Sequence, residues 1–299
     1  MATNPVALKQ VLDEPIKGSS LWRDAGRRLF HTPSAMVGLF LIGLFLFVAI
    51  FAPLISPYDP TAGNIIHKFE APSLQHLLGT DLQGRDILSR ILWGARASLW
   101  VSILSVTLGL LIGLIAGAIS GFFGGWVDFW LMRVVDIMLS LPGLLLTITI
   151  VVFLGPGLNT IAFAIAIENV PIFARILRSS ILGLKESDFT TAARSIGARE
   201  RRILLNHIMP NALTPVIVAA TLALATAIVD AAGLGFLGFG PQDPATPEWG
   251  TMLTDTYRYL TSGAGFTALF PGIAIVLSVL GFNLLGDGLR EALDPRLKR

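Results

Sequence analysis

"ASLWVSILSVTLGLLIGLIAGAISGFFGGWV", residues 97–127, contains no charged side chain. A helix needs ~20 predominantly apolar residues to cross the hydrocarbon core of a bilayer, and this run is longer than that. Three further runs are equally free of charge: Thr32–Tyr58, Ile208–Val229 and Tyr259–Gly286. A fifth, Ile137–Ile167, is interrupted by "GPGLN" at 155–159. Gly and Pro together mark a turn, so that run divides between two spans. Six spans follow, at 34–55, 98–121, 127–154, 160–178, 211–232 and 267–288. The expected fold class is an all-α polytopic membrane protein. With 53% hydrophobic residues, 14% charged residues and a mean hydropathy of +0.70, the composition agrees.

The basic residues set an expected orientation, because Lys and Arg favour the cytoplasmic side. Segment 1–33 holds Lys9, Lys17, Arg23, Arg27 and Arg28; Arg175–Arg202 holds seven Lys or Arg; the tail 289–299 holds Arg290, Arg296, Lys298 and Arg299. With six spans these three regions share one side. The other side has four basic residues in 56–97 and Arg258 in 233–266. Both termini are therefore expected in the cytoplasm. The polar N-terminal segment argues against a cleavable signal, so the first span is expected to be retained. The chain has no cysteine, which excludes disulfides and thiolate metal sites.

Segment 56–97 places Ile87, Leu88, Ile91, Leu92, Ala95 and Leu99 at helical spacing with Arg85, Arg90 and Arg96 among them. That pattern predicts an amphipathic helix on the outer surface that runs into the second span. Segment 233–266 contains "GFLGFGPQDPATPEWG" and predicts a turn-rich region rather than a helix. Both are either solvated connectors or a docking surface for an outside partner. In the second span Gly109, Gly113, Gly117 and Gly121 recur every four residues. Such a stripe admits a second helix backbone at close range, from the same chain or from another membrane subunit.

No phosphate-cradling G-x-x-x-x-G-K-[ST] and no H-E-x-x-H occur. His31, His67, His76 and His207 are scattered outside the spans, and no nucleophile–base pair is visible. The chain therefore reads as non-catalytic. Its basic residues are accounted for by topology rather than by nucleic-acid binding. Ionisable groups within spans are functional candidates. Glu168 and its neighbour Asn169, in the fourth span, either line a pathway or serve bundle packing. Arg133 and Asp136, three residues apart, are expected to pair on one helix face. Asp230 and Asp287 lie near predicted span ends, where hydration makes a carboxylate inexpensive.

One segment departs from the apolar pattern: "DFTTAARSIGARERRILLNHIMP", residues 188–210. Phe189, Ala192, Ala193 and Ile196 fall on one face of a short helix, with Ser187 or Asp188 as N-cap and Gly197 where a left-handed residue would end it. A second helix begins at Ala198, and Pro210 marks entry to the fifth span. The segment 188–209 is thus a helix–turn–helix hairpin. It is either an interfacial anchor or a knob offered to a soluble partner.

The spacing of Ala192, Ala193, Gly197 and Pro210 resembles the EAA loop of bacterial ABC importer permeases, E-A-A-x₃-G-x₉-I-x-L-P, with Thr191, His207 and Met209 in place of Glu, Ile and Leu. "HLLGTDLQGRDILSR" (76–90), "MRVVDIMLSLP" (132–142), "GFLGFGPQDPATPEWGTML" (235–253) and "FNLLGDGLREALDPRLK" (282–298) are similar to the second permease subunit of the dipeptide, oligopeptide and nickel branch. The resemblance implies a pathway shared with a second, homologous permease and two cytoplasmic ATPases that bind ATP and Mg. It also implies an extracytoplasmic binding protein that delivers substrate, and a home in the bacterial inner membrane. Residues Phe189, Thr191, Ala192, Ala193, Arg194, Gly197, Ala198, Arg199 and Pro210 are the implied ATPase-coupling set. Di- or oligopeptides are the implied substrates, with nickel chelates, glutathione and opines as alternatives. A secondary transporter or channel is the rival from another class. It would show inverted repeats and paired intramembrane charges.

Overall fold

The computed structural model describes residues 21–260 and 263–293. Lys9, Lys17, Arg296, Lys298 and Arg299, which weigh in the charge asymmetry, lie outside them. Among the described residues the regular elements are helical, apart from one isolated bridge between Thr80 and Asp86.

Helix α1 (Leu21–His31) meets α2 (Pro33–Ile55) at Thr32; Pro33 stands where a helix needs no amide N–H. The Asp86 carboxylate caps α3 (Ile87–Phe123), accepting from Ser89 N at 2.8 Å and Ser89 Oγ at 2.7 Å. At 1.5 Å per residue α3 is about 55 Å long. The stretch expected on the outer surface is therefore the opening of the second span itself. Gly124, at φ +64°, ends it.

The third span differs from expectation. In place of one helix over 127–154 there are two, α4 (Gly125–Ser140) and α5 (Gly143–Leu154), bent by 92°. Pro142 is the cause. Its ring disfavours the helical conformation at the preceding residue, and Leu141 is extended at φ −90°, ψ 135°. The chain continues through α6 (Leu158–Lys185), α7 (Asp188–Ser195), α8 (Glu200–Phe239), α9 (Trp249–Thr256) and α10 (Phe266–Leu293). Five helices are long and apolar enough to cross a membrane, and six spans result if the bent pair counts as one. Alternating passes bring His31, Phe123, Lys185, Glu200 and Leu293 to one end, called proximal here. The closeness of Gly121 to Ile181 and of Gly288 to Ala35 agrees with that arrangement.

Two glycine seams hold the bundle. A Cβ on Gly109, Gly113, Gly117 or Gly121 would stand 2.7, 2.7, 2.5 or 3.0 Å from atoms of Ala166, Phe173, Ala174 and Ile181 respectively. The stripe is thus filled by α6 of the same chain. The second seam, absent from the sequence reading, joins α2 to α10: Gly38 lies against Gly281 and Leu285, and Gly288 against Ala35. One core cluster, with Val106, Ile165, Phe173 and Ile208, fills the space among α3, α6 and α8. The other, with Ile42, Leu99, Ile228, Trp249 and Phe282, lies toward the distal end. Outward-facing Ile115, Val276 and Leu54 are 62%, 64% and 79% exposed, as a lipid-facing surface requires.

At the distal end the two long loops interlock. Arg85, 2% exposed, donates to Asp81 Oδ2 at 2.6 Å and to Pro244 O at 2.7 Å, and approaches Asp255 at 3.5 Å. Arg90 is also buried and reaches Asp81 at 3.5 Å and Pro60 O at 3.3 Å. These arginines are therefore a buried ion cluster and not the polar face of a surface helix; Arg96 alone of the three is exposed. The turn-rich reading of 233–266 also fails in part. A helix, α9, forms there because Glu248 caps it, accepting from Gly250 N and Thr251 N at 2.8 Å each. Burial pushes the Glu248 carboxyl up, and those two amides pull it back. Trp249 donates to Ile91 O at 3.1 Å, and Gly94 leaves room for its indole.

The expected Arg133–Asp136 pair does not form. Asp136 takes Arg175 of α6, and the Arg133 guanidinium lies 5.4 Å from the Phe129 ring centre. Asp128 likewise takes Arg178 of α6, at 2.6 Å. The two aspartates of α4 thus bind it to α6 rather than to Arg133.

Candidate functional site

The hairpin grows directly from the proximal end of α6. Lys185 donates to the carbonyls of Gly121 and Phe122 at 3.4 and 3.0 Å, a cation on the last turn of α3. Ser187 precedes α7 in extended conformation but does not cap it through its side chain. Instead its hydroxyl donates to Leu184 O at 2.6 Å, and Thr190 Oγ1 donates to the same carbonyl at 2.8 Å. Thr190 and Ala193 are buried, which seats α7 on the bundle.

The apolar face read from the sequence therefore splits. Ala193 turns inward. Phe189, Ala192 and Ile196 turn outward, with Phe189 44% and Ile196 86% exposed. Thr191 is also outward, its hydroxyl donating to Ser187 O at 3.3 Å.

Gly197 has φ +80° and closes a Schellman turn. Its amide donates to Arg194 O at 2.9 Å, and that of Ala198 to Ala193 O at 3.1 Å. Arg194 then reaches across the turn, with Nε and Nη2 donating to Glu200 at 2.7 and 3.3 Å. Arg199 leads into α8, where a π-turn spans Leu204–Ile208 before exposed Pro210. A proline has no N–H to return to the residue four back, and here Met209 N bonds Leu204 O, one residue further along.

Arg199, Arg201 and Arg202 have no carboxylate partner among the described residues. With Gly197, Ala198, Leu205 and Asn206 they line a groove of about 560 Å³. Arg201, Arg202, Leu205 and Asn206 were missed in the sequence reading, which stopped at Arg199. The unbroken "RERR" was the signal available. The site is a stapled two-helix knob with an apolar outer face and a basic flank.

Glu168 and Asn169 part ways. Asn169 is buried, donates to Ile165 O at 2.9 Å and packs on Gly109. It serves the α3–α6 seam. Glu168 turns toward the α4–α5 bend, where a Cβ on Gly143 would meet its Oε1 at 1.9 Å. Asp230 is half-buried within α8, while Asp287 is exposed.

Residues 109–299 match the family described as binding-protein-dependent transport system inner membrane component, and residues 20–72 match the N-terminal TM domain of oligopeptide transport permease C. The chain is 49% identical to the dipeptide transport system permease protein DppC of Alkalihalophilus pseudofirmus, over 93% of this chain and 91% of that one. It is 50% identical to DppC of Escherichia coli K12 (89% and 90% covered). It is 46% identical to the glutathione transport system permease protein GsiD of Shigella flexneri (96% and 94% covered). Among solved structures, an inward-facing form of the MetNI methionine ABC transporter aligns with TM-score 0.56 at 21% identity, over 70% of this chain and 98% of that one, a likeness of fold. From these matches and the helical architecture, this chain belongs to the family of binding-protein-dependent transport inner membrane components.

Proposed function

We propose that this chain is one of two permease subunits of an ATP-driven importer for di- or oligopeptides in the bacterial inner membrane. Its termini and the hairpin 188–209 face the cytoplasm, and the Arg85–Asp255 end faces outward. The observation that carries the reading is the knob: Phe189, Ala192 and Ile196 are held outward on a helix whose position Gly197 and the Arg194–Glu200 pair fix. An exposed apolar face beside unpaired arginines fits a soluble partner with an apolar cleft and an acidic rim. That partner is the ATPase. ATP and Mg sit on the two ATPase subunits, and closure of their dimer moves the knob and switches the permease pair between two access states. An outside binding protein delivers substrate to the distal loops. The named functions of the DppC and GsiD relatives support peptides over nickel chelates or opines.

Liposomes that contain this chain, its sister permease and the ATPases test the proposal. Dipeptide uptake is expected only with ATP inside the ATPase-facing compartment and with the binding protein on the other side. Uptake without the ATPases would sink it in favour of a secondary transporter. Glutathione that competes better than dipeptides would select the second substrate reading.

A further inference from the structure

Glu168 is an intramembrane carboxylate brought against the break in the third span. Its Oε2 is enclosed and has no hydrogen-bond partner. Its Oε1 sits so close to Gly143 that only a hydrogen fits at that carbon, since a Cβ would lie 1.9 Å away. Asp230, from α8, is within electrostatic reach of it and has no hydrogen-bond or ion-pair partner of its own among the described residues. Among the described residues neither carboxylate forms an ion pair with a cation. The basic residues of α6 are spent elsewhere: Arg175 on Asp136, Arg178 on Asp128, Lys185 on the end of α3.

Removing a carboxylate from water is costly unless a charge or donor answers it. Interrupted helices are where membrane transporters place polar ligands. Here the two coincide. The missing complement is a small group with positive charge and several N–H donors.

We propose that Glu168, at the Pro142 break, receives the primary ammonium group of the transported substrate, with Asp230 adding to the local negative field. The proposal rests on the peptide-permease reading. Dipeptides and glutathione both carry a primary ammonium. Asn169, packed on Gly109, takes no part.

The test uses the full transporter in liposomes, with Ala-Ala as substrate. Glu168→Gln is expected to lower uptake by roughly tenfold to a hundredfold, the worth of a charge-assisted hydrogen bond. Glu168→Asp should fall between. Co-purification and the ATP hydrolysis stimulated by the loaded binding protein should remain in both. A second readout needs no transport. Dicyclohexylcarbodiimide should modify Glu168 in the parental protein, detected by peptide mass spectrometry. Excess Ala-Ala should slow that modification, and N-acetyl-Ala-Ala should not.

Parental uptake by Glu168→Gln would overturn the proposal. So would equal protection by both dipeptides or by neither. Loss of assembly in both variants, without selective protection, would reduce Glu168 to a partner for the start of α5. If the parental complex takes up no dipeptide at all, the permease reading fails first, and the labelling comparison alone judges the site.

Discussion

Gly197 holds its place by backbone geometry alone. Nothing lies within 4 Å of a Cβ built there, yet its φ is +80°. A β-branched residue is strained in that region, and asparagine tolerates it better. Gly197→Val is therefore expected to shift α7 and abolish ATPase association and uptake, while Gly197→Asn retains both in good part. Co-purification with the ATPases distinguishes them, and equal behaviour of the two variants would refute the turn as the determinant. Arg194 changes its meaning in the structure. The family resemblance placed it in the ATPase-coupling set, but Glu200 already holds it, raising the guanidinium further above its ordinary range. Arg194→Glu should weaken coupling through the staple, and the swap Arg194→Glu with Glu200→Arg should recover part of it. Arg199, Arg201 and Arg202 have no such partner among the described residues, so their reversal should not be rescued from those residues. At the other end, Arg85→Met leaves Asp81 buried beside Arg90 alone. Breaking a buried pair costs roughly 3–5 kcal/mol, so a clear drop in the thermal midpoint of the purified protein is expected.

Among elements, α3 and α6 form the closest contact. Gly113→Leu would drive a side chain into Phe173 and Val170 and is expected to prevent folding or assembly. Gly183→Leu, where nothing lies within 4 Å, serves as the matched control and should express normally. Detergent-solubilised yield and monodispersity measure the difference. The α3 stripe was legible because its period is local; that α6 fills it was not, because no local signal names a partner. The Gly38–Gly281 seam was illegible for the same reason, with isolated glycines on helices far apart in sequence. The α4–α5 bend was legible and missed. "PG" at 142–143 carries the same turn signal as "GPG" at 155–157, but the apolar run around it favoured one long span. Arg85 and Arg90 were misread because charges at helical spacing suggest a wet face. Their burial depends on Asp255, remote along the chain. The hairpin was the best-read element: its Gly197 turn and spacing are short-range, although Ser187 makes no side-chain cap. Its outward face was read one residue too wide, at Ala193, whose burial depends on the bundle beneath.

For the whole molecule, the proposed orientation has a direct measurement. The chain has no native cysteine. Single cysteines at exposed Ser73 and Asn159 should react with an impermeant maleimide added outside intact cells, and one at exposed Ser195 only after lysis. Reaction at Ser195 from outside would reverse the topology and remove the knob from the ATPases. Helix α8 then acquires a mechanical meaning. It runs from Glu200 at the hairpin, through a π-turn at Leu204–Ile208, to a kink at Gly238 (φ +89°), and just before that kink Gly235 lies against the Glu248 carboxylate of the distal clasp. From Glu200 to the Gly238 kink, at 1.5 Å per residue, the rod is roughly 55 Å long, well beyond the ~30 Å hydrocarbon thickness. A rod with both heads gripped cannot be displaced at one of them alone. In the proposed importer a push on the knob would emerge as a stroke under the distal loops, and a load placed on those loops would be felt at the knob.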